Sequence, residues 1–111
     1  MTDPLTPVLS INWADERAWT MDAYQRQGGY RSVPTAIAMG ADAVISAVKD
    51  AGLRGRGGAG FPTATKWAFL PPQGERHRFL VVNADESEPG TCKDIPLMLA
   101  SPHTLVEGVI T

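Results

Sequence analysis

From Gly55 to Gly60 the chain reads GRGGAG, four glycines in six positions. That density rules out a helix or strand interior, because each glycine loses the most backbone entropy on ordering and offers no side chain to bury. The stretch beginning at Arg54 is therefore a loop whose backbone lies bare. In a chain of 111 residues and net charge -2, such a loop belongs to one small domain or to a piece of a larger one. A chain of this size buries roughly 60 to 70% of the surface its unfolded form exposes, which leaves room for one modest core.

Ten Lys and Arg against twelve Asp and Glu give no general pull toward nucleic acid or an anionic membrane surface. The lone Cys92 excludes an internal disulfide and cannot by itself ligate a structural zinc or an iron-sulfur cluster, so no metal ligand is assigned. No run approaches the ~20 apolar residues of a membrane span. The start, MTDPLTPVLS, lacks a basic then apolar leader pattern, and a cytoplasmic location is expected.

Residues 1–19, with Pro4, Pro7, Trp13 and Trp19 and no period, read as an extended arm that docks on a partner or on further polypeptide. Residues 20–111 read as one truncated domain. Thr20 to Gln27 predicts a short helix stopped at Gly28 and Gly29, and a second follows from Tyr30. Val44, Ile45 and Val48 put an apolar face on a helix over 41–51. Pro62 opens another helix through about Phe69, Pro71 and Pro72 end it, and Gln73 to His77 is a polar turn. Arg78 to Val82 is an apolar run of the kind buried in a parallel sheet, and it predicts a strand. Lys93 to Ala100 predicts a helix, and Ser101 as N-cap with Pro102 at N1 starts one that reaches Thr111 without a C-cap. Helix alternating with strand predicts an α/β or α+β layer, and one strand cannot make a sheet, so its neighbours are expected beyond Thr111.

Gly55, Gly57 and Gly60 match G-x-G-x-x-G, a pattern that presents backbone N–H groups to phosphate or to a flat cofactor. A helix precedes this loop and the strand follows it, which is the reverse of a standard dinucleotide-binding start. Lys66 lies six residues after Gly60, too far for a phosphate-binding P-loop. A plain wide turn is the bland alternative. After the strand come Asn83, Asp85, Glu86, Ser87 and Glu88, in a loop at the carboxyl end of a strand, where open α/β sheets place ligands. Carboxylates pair with sugar hydroxyls, whereas anionic phosphate is repelled. A solvated turn or a divalent cation site are the alternatives for that cluster. Cys92 reads as a small packed residue, and neither His77 nor His103 has a partner in sequence that would make it a base or ligand.

Together, GLRGRGGAGFPTATKW at 52–67 and NADESEPGTCKD at 83–94 resemble the flavin-carrying, NADH-oxidising subunits of respiratory complex I, the 51 kDa flavoprotein family. The resemblance runs from about Thr20 to Thr111 and takes in GGY at 28–30 and SPHTLVEG at 101–108. It implies an incomplete Rossmann-like nucleotide-binding layer of α/β class, with N-terminal helices and a sheet completed by residues missing after Thr111. It also implies FMN and NAD as cofactors: Gly55, Gly57, Gly58, Lys66, Asn83, Asp85 and Ser87 would border FMN, with Arg56 free to pair with a phosphate. Phe61 and Phe69 would flank the adenine of NADH, with Glu86 and Glu88 near the nucleotide. The flavin itself takes the hydride, so no protein group is expected to act as catalyst.

Family members hand electrons on to iron-sulfur clusters and quinone, beside a small thioredoxin-like iron-sulfur subunit and the other complex I subunits. That arrangement implies a position peripheral to the cytoplasmic side of the membrane. The cysteines of the family's 4Fe-4S cluster have no counterpart before Thr111, and Ala64 stands where the family usually has glycine. The isolated 111-residue chain is expected to be inactive. The diaphorase subunit of a soluble hydrogenase or formate dehydrogenase shares the motifs, and a non-enzymatic fragment or docking module is the contrasting reading.

Overall fold

The computed structural model describes residues 7–72, 74 and 77–111. The first six residues of the expected arm, and residues 73, 75 and 76 of the expected polar turn, lie outside that description. Among the described residues six helices are formed: α1 Met21–Arg26, α2 Ser32–Met39, α3 Ala41–Asp50, α4 Thr63–Ala68, α5 Asp94–Ala100 and α6 Pro102–Ile110. The chain divides into two compact units, one over Pro34–Phe79 and one joining Met1–Val33 to Leu80–Thr111.

In the Pro34–Phe79 unit, α3 packs on α4. The face predicted for α3 is the one it uses, with Val44, Ile45 and Val48 half-buried, while Ala64 of α4 is buried. The glycine loop joins these helices. Its two ends are stapled by Gly55 N–H to Phe61 carbonyl at 2.9 Å and Thr63 N–H to Leu53 carbonyl at 3.0 Å. Arg54 and Pro62 form an isolated antiparallel bridge there.

In the other unit, residues 8–19 run as successive turns held by bonds such as Trp13 N–H to Ser10 carbonyl and Ala18 N–H to Asp15 carbonyl. Thr20 caps α1: its hydroxyl accepts from Ala23 N–H at 3.3 Å and donates to the Arg17 carbonyl at 2.8 Å. Thr20→Ala is expected to cost about 1 kcal/mol, read as a lowered denaturation midpoint of the full-length polypeptide. Past the helix, a Cβ on Gly29 would sit 2.1 Å from the Tyr24 ring, so only glycine lets the chain turn back over that ring. Helix α5 packs on α6, and Ser101 sits between them as C-cap of one and N-cap of the other.

Two expectations, those for Ser101 and Cys92, are corrected, and the strand expected at 78–82 has none of its expected neighbours among the described residues. Arg78 to Val82 joins no strand ladder among the described residues, and Phe79 and Val81 are both 86% exposed. A strand needs a neighbour to take its N–H and C=O groups, and none lies among the described residues. Ser101 occupies the N-cap position of α6, but its hydroxyl makes no cap bond. The side chain is buried without a hydrogen-bond partner among the described residues and lines a cavity of about 380 Å³ with Leu80, Val82, Leu97 and Leu105. Cys92 is exposed rather than packed, because the turn that carries it lies outside the small core. The only buried apolar side chains among the described residues are Ala18, Ala23 and Ala64.

Candidate functional site

The glycine loop is open on its outer side. A Cβ built on Gly57, Gly58 or Gly60 would meet nothing within 4 Å, and Gly58 and Gly60 have φ of +116° and +62°. Arg54 spans the loop base, with its Nη1 donating to the Gly60 carbonyl at 3.3 Å. Among the described residues, no backbone hydrogen bond engages the N–H groups of Arg56, Gly57, Gly58 or Ala59. The result is a ribbon of uncovered amide donors, with Arg56 exposed on it and Lys66 exposed on α4. Phe61 and Phe69 are brought together at a centroid distance of 6.4 Å and a tilt of 47°. That is the range of direct ring contact, so a base would stack on the outside of the pair or part it. Ala64 is buried at 4% exposure, which a methyl tolerates and a larger side chain would not.

The acidic loop belongs to the other unit, together with α5 and α6. Asn83 accepts the Asp85 N–H on its own Oδ1 at 3.0 Å, a local turn that uses one side of its amide. Asp85, Ser87 and Glu88 are exposed. Glu86 differs. Its Oε1 accepts from Lys93 N–H at 2.7 Å and Asp94 N–H at 3.0 Å, and its Oε2 from Asp94 at 3.1 Å and Ile95 at 3.2 Å. The Asp94 N–H foremost, with Lys93 and Ile95 behind it, holds the Glu86 carboxyl below its ordinary value against the opposing effect of burial. Lys93 in turn reaches the Asp94 carboxylate at 2.6 Å, which raises the lysine above its ordinary value.

Of the residues implied by the resemblance, Gly55, Arg56, Gly57, Gly58, Phe61, Lys66 and Phe69 thus fall in one unit and Asn83, Asp85, Glu86, Ser87 and Glu88 in the other. Sequence reading missed a polar node built on Glu107. Its carboxylate accepts from the Tyr24 hydroxyl, from Tyr30 N–H at 2.8 Å, and from both the N–H and the hydroxyl of Ser32. His103 stacks on Tyr24 and its Nδ1 pairs with the Tyr30 hydroxyl at 2.8 Å. These partners lie 73 to 83 residues apart in sequence, beyond any local pattern. Glu86 escaped for a similar reason, since its cap reaches back seven residues where a capping box spans three.

Among the described residues, no group of three or more His, Cys, Asp or Glu is placed to hold a metal ion. No helix among them is long and apolar enough to cross a membrane.

Residues 48–111 match the family described as the Nuo51 FMN-binding domain. The F subunit of NADH-quinone oxidoreductase from Mycobacterium tuberculosis is 61% identical over 115 residues, covering 96% of this chain and 26% of the relative. Its counterpart in Streptomyces coelicolor is 57% identical over 106 residues, covering 96% and 24%, and that of Rickettsia typhi 44% over 102, covering 92% and 24%. The chain therefore spans about a quarter of the length of the curated relatives it matches. With the bare glycine loop and the exposed acidic loop falling inside the matched residues, the chain belongs to the Nuo51 FMN-binding domain family.

Proposed function

We propose that this chain is the N-terminal part of a flavoprotein subunit of NADH-quinone oxidoreductase, binding FMN and NADH. The observation that carries the reading is the glycine loop, where a Cβ on Gly57, Gly58 or Gly60 would meet open space and no backbone hydrogen bond among the described residues engages the N–H groups of residues 56–59. That donor set fits FMN, because the phosphate and the ring carbonyls are acceptors and the ring is flat enough to lie on bare backbone. A bound flavin would supply the hydride acceptance and one-electron release, while the residues of the two loops would hold and orient it.

The protein's part is binding and orientation. Gly57 and Gly58 offer amide donors, with Gly55, its own N–H taken by the Phe61 carbonyl, bordering them at the loop base. Arg56 and Lys66 offer positive charge to the phosphate or the ring, and Asp85, Ser87 and Asn83 meet the ribityl hydroxyls. Phe61 and Phe69 offer the NADH adenine an aromatic face, and Glu88 a carboxylate for ribose. The exposed run over 78–82 supports an α/β layer whose further strands come from polypeptide outside these residues. The names of the relatives favour a place beside other complex I subunits over a soluble hydrogenase or formate dehydrogenase.

The test is to express the full-length polypeptide, titrate it with FMN by quenching of flavin fluorescence, and add NADH without oxygen. Saturable binding followed by bleaching of the flavin band is expected, with Lys66→Met weakening binding about tenfold, the worth of one charge-assisted contact. A polypeptide that folds yet leaves FMN fluorescence unchanged would sink the reading.

A further inference from the structure

We infer that Glu86 is a positioning residue, which holds the acidic loop on helix α5, rather than a contact to the nucleotide. The inference rests on the FMN and NADH reading above. Two carboxylate oxygens offer about four acceptor sites in all. On Glu86 these are met by Lys93, Asp94 and Ile95 N–H groups, with the Asp94 N–H shared between both oxygens. Nothing is left to accept from a ribose hydroxyl. The three donors are those at the start of α5, orphaned in any helix, and no side chain at the N-cap position serves them.

The consequence falls on the neighbours. Asp85 and Ser87 flank Glu86 in the chain and are exposed, as is Glu88. The Glu88 carbonyl takes both the N–H and the hydroxyl of Thr91, while the Asn83 amide oxygen takes the Asp85 N–H. Among the described residues the loop is thus tied at three points, and Glu86 is the one that fixes it to a helix. With Glu86 committed, the carboxylates available to a sugar are Asp85 and Glu88.

The test uses the full-length polypeptide and compares Glu86→Ala with Glu86→Gln. The glutamine keeps an acceptor oxygen for the α5 amides but carries no charge. We expect Glu86→Ala to weaken FMN binding about tenfold and to speed hydrogen exchange at the amides of 93–95 by a similar factor, the scale of a lost helix cap. Glu86→Gln should restore most of both while leaving the KM for NADH unchanged. Glu86→Gln that raises the KM for NADH several-fold with the α5 amides still protected would overturn the inference, as would Glu86→Ala that binds FMN like the parent. A parent polypeptide that binds no flavin would end the flavoprotein reading instead, and exchange at 93–95 in Glu86→Ala would still decide whether Glu86 holds the loop.

Discussion

Glu107→Ala is expected to lower folding stability by about 1 to 2 kcal/mol, the worth of hydrogen bonds to a charged acceptor after a discount for partial solvent exposure. Four donors lose their acceptor at once: the Tyr24 hydroxyl, the Tyr30 N–H, and the N–H and hydroxyl of Ser32. Two of these matter beyond their own bonds. Ser32 is the first residue of α2, so Glu107 caps that helix from a distance. Among the described residues, Tyr30 is the one non-glycine residue at positive φ, +63°. Such a conformation costs about 1 to 3 kcal/mol and persists only where surrounding contacts hold it. Its N–H on Glu107, its hydroxyl on His103 and its edge against the Tyr24 ring are those contacts.

The same node gives a pH dependence. Burial alone would raise the Glu107 carboxyl, but the bonds from the Ser32 and Tyr24 side chains and from the Tyr30 and Ser32 backbone outweigh it and hold it at about 2, against 4.5 for a free glutamate. A carboxyl depressed on folding stabilises fully above its ordinary value and loses that contribution as pH falls through the depressed one. Stability in the parent should therefore decline as pH drops from about 4.5 toward 2, and the decline should be shallower in Glu107→Ala. Urea midpoints across that range are the measurement. Equal midpoints for the two proteins at neutral pH would show the node to be idle.

The second large effect concerns binding. Gly57→Ala should leave stability within about 0.5 kcal/mol of the parent, since the new methyl enters open space and the residue has no positive φ to strain. Yet the methyl covers the backbone where FMN is proposed to lie, and affinity should fall at least about tenfold. Gly58→Ala separates the two contributions. At φ +116° it should also destabilise the fold, by about 1 to 3 kcal/mol. Fluorescence titration with FMN and a urea melt on each variant give both numbers, and Gly57→Ala binding FMN as tightly as the parent would remove the loop from the site.

How much was legible follows from the range of each interaction. Helices α1, α3 and α4 fall where Thr20, the spacing of Val44, Ile45 and Val48, and Pro62 place them, because caps and amphipathic faces are written within one or two turns. The openness of the glycine loop was likewise readable, since absent side chains cannot fill space. Ser101 shows the limit. Its sequence signature is that of a cap, but the side chain turns into a cavity because the residue ends α5 as well as starting α6. The run over 78–82 shows another, since an apolar period predicts a strand while only a neighbour makes one.

By itself the sequence determined the local elements, the bare loop and the composition of the acidic loop, each set by residues close together in the chain. Only the tertiary structure decided which carboxylates remain free to bind. Glu86, Glu88 and Glu107 are the same residue type, yet Glu86 is spent on the α5 amides, Glu107 on Tyr24, Tyr30 and Ser32, and Glu88 lies exposed. A carboxylate has a fixed number of acceptor sites, and which donors reach them first depends on where the folded backbone brings its N–H groups.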